Sequence, residues 1–526
     1  MLASLLSATL VGLDGCVIRV EVDVAGGLPG FTIVGLADAA LQEARERVRG
    51  AIRNAGFVHP PRRITVNLAP AEQRKAGASL DLAIALGILL GSEQVRAAPG
   101  RAALVGELSL GGEVRSVPGV LPMVAALARR GLRRVLVPGD AVAEASLVDG
   151  IEALGVATLR DAVELVRRRP VRRVTPIPAR IDLVTDSGPG RPAAQVEPPA
   201  TRVAPFAVAD LADVRGQLEA RRGLEIALSG GHGLLLIGPP GSGKTLLART
   251  IPALLPPLED ADALSATIVA SVAGEAPRWL LRDAPVRAPH HTLSYAAMVG
   301  GGPRLSPGEV TLADHGILFL DELPEFDRDV LEALRQPLED GRVSVARAGR
   351  STTFPARFQL VAAMNPCPCG LAGSDPGRCR CGPGVPEKYT NRVSGPLRDR
   401  IDLWVTMPKV APAAMIAGEE PEASAAVAPR IVAARARQRS RGTGRLNGRI
   451  SGQELKRAAL MTPLVARRAI ELADLEGLSG RGTERLIRVA RTIADLDGSP
   501  AVIAAHLEEA ARFRSPMSVL AAREAS

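Results

Sequence analysis

The stretch Gly238-Pro239-Pro240-Gly241-Ser242-Gly243-Lys244-Thr245 follows the apolar run Leu234-Leu235-Leu236-Ile237 and precedes Leu246, Leu247, Ala248 and Ile251 at helical spacing. That order predicts a buried parallel strand, a tight glycine-rich turn and the start of a helix. It fits the G-x-x-x-x-G-K-[ST] pattern, in which backbone N–H groups and a helix N-terminus cradle phosphates. Lys244 is then expected to reach the β- and γ-phosphates, and Thr245 to hold Mg²⁺ through its hydroxyl. A second apolar run, Ile317-Leu318-Phe319-Leu320, ends in Asp321 and Glu322. Two adjacent acids after a buried strand could merely cap the next helix. Beside a phosphate loop they read as the Mg²⁺-binding carboxylate (Asp321, through water) and the group that orients and polarises the attacking water (Glu322). The two stretches together predict an α/β ATPase with a parallel sheet flanked by helices.

At 526 residues the chain is too long for one ordinary core, so several domains are expected. No apolar run approaches the length of a membrane span. The first residues lack a basic segment, and Gly12, Asp14 and Gly15 interrupt their apolar run, which argues against a signal peptide and makes the cytoplasm the expected compartment. The net charge is +9, which makes nucleic acid a plausible partner. Aromatic residues are only 2% of the chain, so contact with backbone phosphates is expected over base stacking.

Residues 1–168 alternate strands and helices. Val17–Val24, Ile64–Leu68, Ala102–Val105 and Val135–Val137 read as strands, and 41–55, 80–90 and 124–130 as helices. Lys75-Ala76-Gly77-Ala78-Ser79-Leu80-Asp81 resembles the serine segment of the Lon-protease-like domain, a ribosomal-S5-type α+β fold. The resemblance puts Ser79 at the nucleophile position. It also requires a later lysine as base, and Leu121 stands in that place. A serine hydroxyl without a base is a weak nucleophile, so peptidase activity is not expected. Residues 169–206 carry Pro170, Pro176, Pro178, Pro189 and further prolines with few apolar runs, which is linker composition.

Past the phosphate loop come Arg287-Ala288-Pro289-His290-His291-Thr292, Gly300-Gly301-Gly302, Pro307-Gly308-Glu309 and Ala363-Met364-Asn365-Pro366. With the two motifs above, they closely resemble the magnesium-chelatase-like AAA+ proteins of the ComM/YifB family, over nearly the whole chain. The resemblance implies a Lon-like domain (1–168), a linker (169–206), an AAA+ core (207–412) and a C-terminal helical lid (413–526). It makes Asn365 the sensor 1 residue, and Arg400, in Ser394-Gly395-Pro396-Leu397-Arg398-Asp399-Arg400-Ile401-Asp402, the arginine finger that acts on a neighbour's ATP, with Arg398 as the competing candidate. Arg481 becomes the sensor 2 contact to the γ-phosphate, with Arg485 behind it. It also implies a glycine-rich insertion at Gly300–Gly302 that lines a central pore and touches DNA.

Three further features come from the residues themselves. His290 and His291 are neighbours in a presumed strand and would face opposite sides, which is poor geometry for joint metal ligation. Cys367, Cys369, Cys379 and Cys381 form C-x-C…C-x-C with nine residues between the pairs. Four thiols on one cytosolic loop favour a metal such as structural Zn²⁺, with free thiols or disulfides as the alternatives. Between Arg430 and Arg449 lie seven arginines and no acid, a candidate surface for nucleic-acid phosphates.

The residues themselves predict a Mg²⁺-dependent ATPase, and the family resemblance implies that it is a hexameric, sequence-nonspecific DNA motor acting in branch migration during recombination and natural transformation. A chelatase-type ATPase that remodels a protein partner is the alternative.

Overall fold

The computed structural model describes residues 1–35, 39–71, 75, 77–96, 102–167, 207–302, 305–347, 350–373, 378–412, 420–442 and 444–514. The presumed linker therefore lies outside the described residues.

The N-terminal part is built on a mixed seven-stranded sheet. Its strands run in the order Gly30–Val34, Arg63–Ala69, Asp14–Ala25, Leu2–Val11, Ala103–Leu104, Arg134–Pro138, Glu152–Val156. The two long central strands form an antiparallel hairpin turned at Gly12–Leu13, and the last three strands add on in parallel. Alternation drives the hairpin: Ile18, Val20, Val22 and Val24 are buried, while Arg19 and Asp23 face water. The helices Ala39–Asn54 and Asp81–Gly91 cover one face through Leu41, Val48, Ile52, Leu82, Ile84 and Leu86. The expected helix at 124–130 begins earlier, at Val120, and ends at Arg129.

The second sheet is parallel throughout, in the order Val286–Arg287, Ile317–Leu320, Gln359–Met364, Leu234–Ile237, Leu403–Thr406. Leu234, Leu235, Leu236 and Ile237 are all buried. Parallel strands covered on both faces read as unbroken apolar runs for this reason. At about 1.5–3 kcal/mol for each fully buried aliphatic side chain, these four residues alone hold the central strand firmly in place. The helical region after residue 420 shares a core with this sheet: Ile431, Leu486, Val489 and Ile493 pack in one cluster with Leu224, Leu236 and Val405.

One expected element is divided. The apolar spacing of Val330, Leu331, Leu334 and Leu338 predicts one helix over 323–340, and the structure has instead a turn at Leu323–Glu325 and two short helices, Arg328–Ala333 and Arg335–Asp340. Pro337 has no N–H to offer the carbonyl of Ala333, so the hydrogen-bond ladder breaks where the two helices meet.

The two sheets are joined by specific contacts. The Gly119 N–H donates to Ser271 O (2.8 Å), and the Ser271 hydroxyl donates to the buried Glu144 carboxylate. The same Glu144 oxygen accepts the backbone N–H of Leu121 (2.9 Å). The Gly12–Leu13 turn reaches the other way: Leu13 packs on a core cluster of the second sheet, and a Cβ at Gly12 would lie 2.6 Å from Thr352.

Candidate nucleotide site

Register brings the motifs together. Ile237 pairs with Met364 on one side and Thr406 on the other, and Leu320 pairs with Ala362. Gly238, Asn365 and Asp321 are the residues next in line, so all three leave the sheet at its carboxyl end. The loop then turns through Gly241 (φ 76°) and Gly243 (φ 93°) into the helix Lys244–Arg249. Gly238 must be glycine on space alone, since a Cβ there would lie 2.3 Å from the Met407 carbonyl oxygen.

Within the site, the lysine, threonine, asparagine and aspartate pair with their neighbours, while the buried Ser242 hydroxyl has no hydrogen-bond partner among the described residues. Lys244 Nζ donates to Gly238 O (2.7 Å), Pro239 O (2.9 Å) and Asn365 Oδ1 (3.1 Å). Burial lowers the Lys244 pKa, and the nearby Asp321 and Glu322 carboxylates oppose that shift. Thr245 Oγ1 donates to Asp321 Oδ2 (2.7 Å), and the Glu322 N–H donates to Asp321 Oδ1 (3.0 Å). Glu322 itself lies in the left-handed region at φ 54°, ψ 46°. A non-glycine residue there costs on the order of 1–3 kcal/mol, and such strain collects at functional sites. Lysine, threonine and two carboxylates in this arrangement can bind a triphosphate with Mg²⁺ and polarise a water.

Two neighbours of the site were not legible beforehand. The buried Gln217 amide donates to Ser242 O (3.1 Å) and Pro408 O (2.7 Å), tying the loop to the segment after the last strand. His291 Nδ1 lies 3.6 Å from Glu322 Oε2, and its ring meets Phe326 edge-on. The two histidines do not face opposite sides. They follow the two-residue strand Val286–Arg287 in a loop, where no pleat separates them, and their ring centroids are 4.1 Å apart.

Arg400, assigned by the resemblance to a neighbour's ATP, and Arg481, assigned to the γ-phosphate, both lie away from this chain's phosphate loop. Asp402 N donates to Gly233 O, so Arg400 sits near the amino end of the strand Leu234–Ile237, opposite the phosphate loop. Arg400 pairs with Glu339 and donates to Pro396 O. Arg481 approaches the same Glu339 (3.8 Å), and Arg485 pairs with the buried Asp402 (3.6 Å). These three arginines, with Arg488, line a cleft of about 1160 Å³ that also contains Gly231, Ile317 and Gln359, at the amino ends of the strands. Within one chain, Arg481 is thus not brought to its own phosphate loop.

The arginine run also reads differently in the structure. Arg430 pairs with Glu225 and Glu422, Arg439 with Glu259, and Arg441 with Asp495. Arg435 donates to Leu228 O, Arg437 to Asp495 O and Arg449 to Phe358 O. Burial pulls the Arg435 pKa down to about 10. The acids absent from the run are supplied by other segments: Arg430, Arg435, Arg439 and Arg449 tie the helical region to the core, Arg437 and Arg441 bind within that region, and these six side chains do not form a free basic face.

The four cysteines converge. Their sulfurs all lie within 4.8 Å of one another, a group that could hold a metal ion. Ser79, by contrast, donates its hydroxyl to Ala8 O (2.9 Å) in a buried setting, and Leu121 is itself buried. Among the described residues, no helix is long and apolar enough to cross a membrane.

Comparison with known proteins agrees with this architecture. A family model described as magnesium chelatase, subunit ChlI, matches residues 210–415, a second for subunit ChlI matches 20–141, and a third for its C-terminal part matches 421–514. YifB of Salmonella typhimurium is 41% identical over 508 residues, covering 96% of this chain and 95% of that protein. The competence protein ComM of Haemophilus influenzae is 39% identical over 523 residues, 99% of this chain and 98% of its own. The magnesium-chelatase subunit ChlI of Synechocystis is 27% identical over 157 residues, 26% of this chain and 44% of its own.

Proposed function

Because the chain belongs to the ComM/YifB family of magnesium-chelatase-like AAA+ proteins, we propose that it is an ATP-driven DNA motor, a hexameric ring that drives branch migration in recombination and natural transformation. The chain divides into a Lon-like domain (1–168), a linker (169–206), an ATPase core (207–412) and a lid (413–526). Residues 238–245 bind the triphosphate, Thr245 and Asp321 hold Mg²⁺, and Glu322 activates water. Asn365, now bonded to Lys244, orients that water or the γ-phosphate.

The observation that carries the ring is the placement of two half-sites at opposite ends of one sheet. The phosphate loop lies at the carboxyl end, and Arg400 and Arg481 lie at the amino end. A head-to-tail ring sets one against the other. Arg400 and Arg481 then supply positive charge to the neighbour's γ-phosphate as negative charge develops there. The family relationship to a competence protein and the net charge of +9 support DNA as the substrate. With the arginine run tied into the fold, the segment around Gly300–Pro307 becomes the favoured contact with DNA. There the two-residue strands Gly300–Gly301 and Ser306–Pro307 pair antiparallel.

The test is ATP hydrolysis with and without single-stranded and branched DNA, beside Glu322→Gln. A DNA-stimulated rate that the variant lacks supports the motor and leads to a branch-migration assay. A real ATPase indifferent to every DNA offered replaces it with the second reading, an ATPase that remodels a protein partner, which the similarity to ChlI favours.

A further inference from the structure

We propose that Cys367, Cys369, Cys379 and Cys381 bind a single Zn²⁺ ion, and that this knuckle braces Asn365 and the phosphate loop. The metal site stands independently of the motor reading; the bracing rests on the nucleotide-site reading.

The geometry is that of a metal cage. All four cysteines are unpaired. Cys367 Sγ lies 3.3 Å from Cys369 Sγ and 3.9 Å from Cys379 Sγ, and Cys369 Sγ lies 3.5 Å from Cys379 Sγ. A Zn–S bond of about 2.3 Å sets the edge of a tetrahedron of thiolates at about 3.8 Å. Three of the sulfurs already sit near those edges and the Cys381 sulfur lies within 4.8 Å of each, in a space that fits one ion and is too tight for an iron–sulfur cluster. Backbone donors face the sulfurs as well: Ala372 N–H points at Cys367 Sγ (3.3 Å), and those of Leu371 and Arg380 point at Cys369. Such donors stabilise metal-bound thiolates.

Its position gives the cage a role. Cys367 is buried two residues after Asn365, so the ion would fix the end of the strand that carries this side chain. Gly370, at φ 79°, rests on the phosphate loop, where a Cβ would fall 2.4 Å from Pro240 Cδ. The loop and the Asn365 strand end therefore share one support.

The experiment is metal analysis of the full chain purified without chelator, with free thiols counted by mass spectrometry. The expected result is close to one zinc per chain, released when a mercurial blocks the thiols. Exchange for Co²⁺ should give the thiolate-to-cobalt absorption of a tetrahedral site. Chain without metal, carrying four free thiols or two disulfides, overturns the site, as does iron in place of zinc. Cys379→Ser with Cys381→Ser, in the pair farther from the strand, should lose the zinc and lower kcat on the order of tenfold, the scale of outer-shell effects. Fluorescent ATP-analogue binding shows whether that variant is folded, and Asn365→Ala should lower kcat while keeping its zinc. A zinc-free variant that binds nucleotide and hydrolyses ATP at the wild-type rate overturns the bracing.

Discussion

The separation of Arg400 from its own phosphate loop makes a quantitative prediction. The four-residue strand Leu234–Ile237 stands between the two ends, with Arg400 beside its start and Lys244 beyond its finish. At about 3.3 Å per residue, that strand alone places the two ends roughly 13 Å apart. Arg400 also turns away, toward Glu339 and the cleft. An arginine finger contributes about 10³-fold or more to turnover, so Arg400→Ala alone should be nearly inactive. Glu322→Gln should be inactive for a different reason. Mixing the two by dissociation and reassembly in equal amounts rebuilds a working site wherever an intact Glu322 meets an intact Arg400 from its neighbour. In a head-to-tail ring assembled at random, about a quarter of the interfaces qualify. The assay is steady-state ATP hydrolysis across mixing ratios. If subunits act independently, the rate should peak at equal proportions, near a quarter of wild type. A mixture no faster than the sum of its parts would refute the trans assignment, and Arg481→Ala in the same format tests sensor 2.

Three further outcomes follow from individual contacts. Asp495→Asn leaves the buried Arg491 without its carboxylate, and Arg441 loses the same partner; breaking such a pair costs about 3–5 kcal/mol, so protection of the helix Gly480–Leu496 in hydrogen exchange should fall sharply. Unchanged protection there would mean that the cluster does not hold the helical region. His291→Ala frees Glu322 from a partly exposed pair worth about 0.2–1 kcal/mol, so the DNA-free ATPase rate should rise, by no more than about fivefold, while His291→Asn stays near wild type. A rate that falls or does not move would show that the pair does not restrain the carboxylate. Ser79→Ala removes one buried hydrogen bond, at a cost of about 1 kcal/mol in thermal stability. Neither it nor the wild type should degrade casein, and hydrolysis lost on that substitution would restore the peptidase reading.

What the sequence made legible is chemistry that is local in the chain. The phosphate loop, the Asp321–Glu322 pair and Asn365 each follow an apolar strand, and the strands' register does the rest. What stayed hidden depends on partners far away. Arg435 finds Leu228 O across more than two hundred residues, and no feature of its own helix announces that acceptor. The placement of Arg481 beside Glu339 is a fact of tertiary packing, invisible to a motif that matches only its own helix start. The sequence pattern places His291 in a strand, and the strand stops four residues sooner, at Arg287. The division at Pro337 was readable from the proline itself, but the apolar spacing of Val330, Leu331, Leu334 and Leu338 masked it.

The joint at Glu144 has a consequence for what the N-terminal domain can become. A peptidase of the resembling kind would need a lysine at position 121, reaching toward Ser79. Here the backbone of Leu121 is fastened to Glu144, and Glu144 in turn accepts from Ser271 of the second part of the chain. The joint uses only the main-chain N–H of residue 121, which every non-proline residue carries, so it fixes where the side chain starts without dictating what it is. Coupling between the two halves of the molecule is therefore separable from the loss of a base: the position can change its side chain while its backbone keeps the grip, and what leaves Ser79 without a base to take its proton is the buried leucine alone.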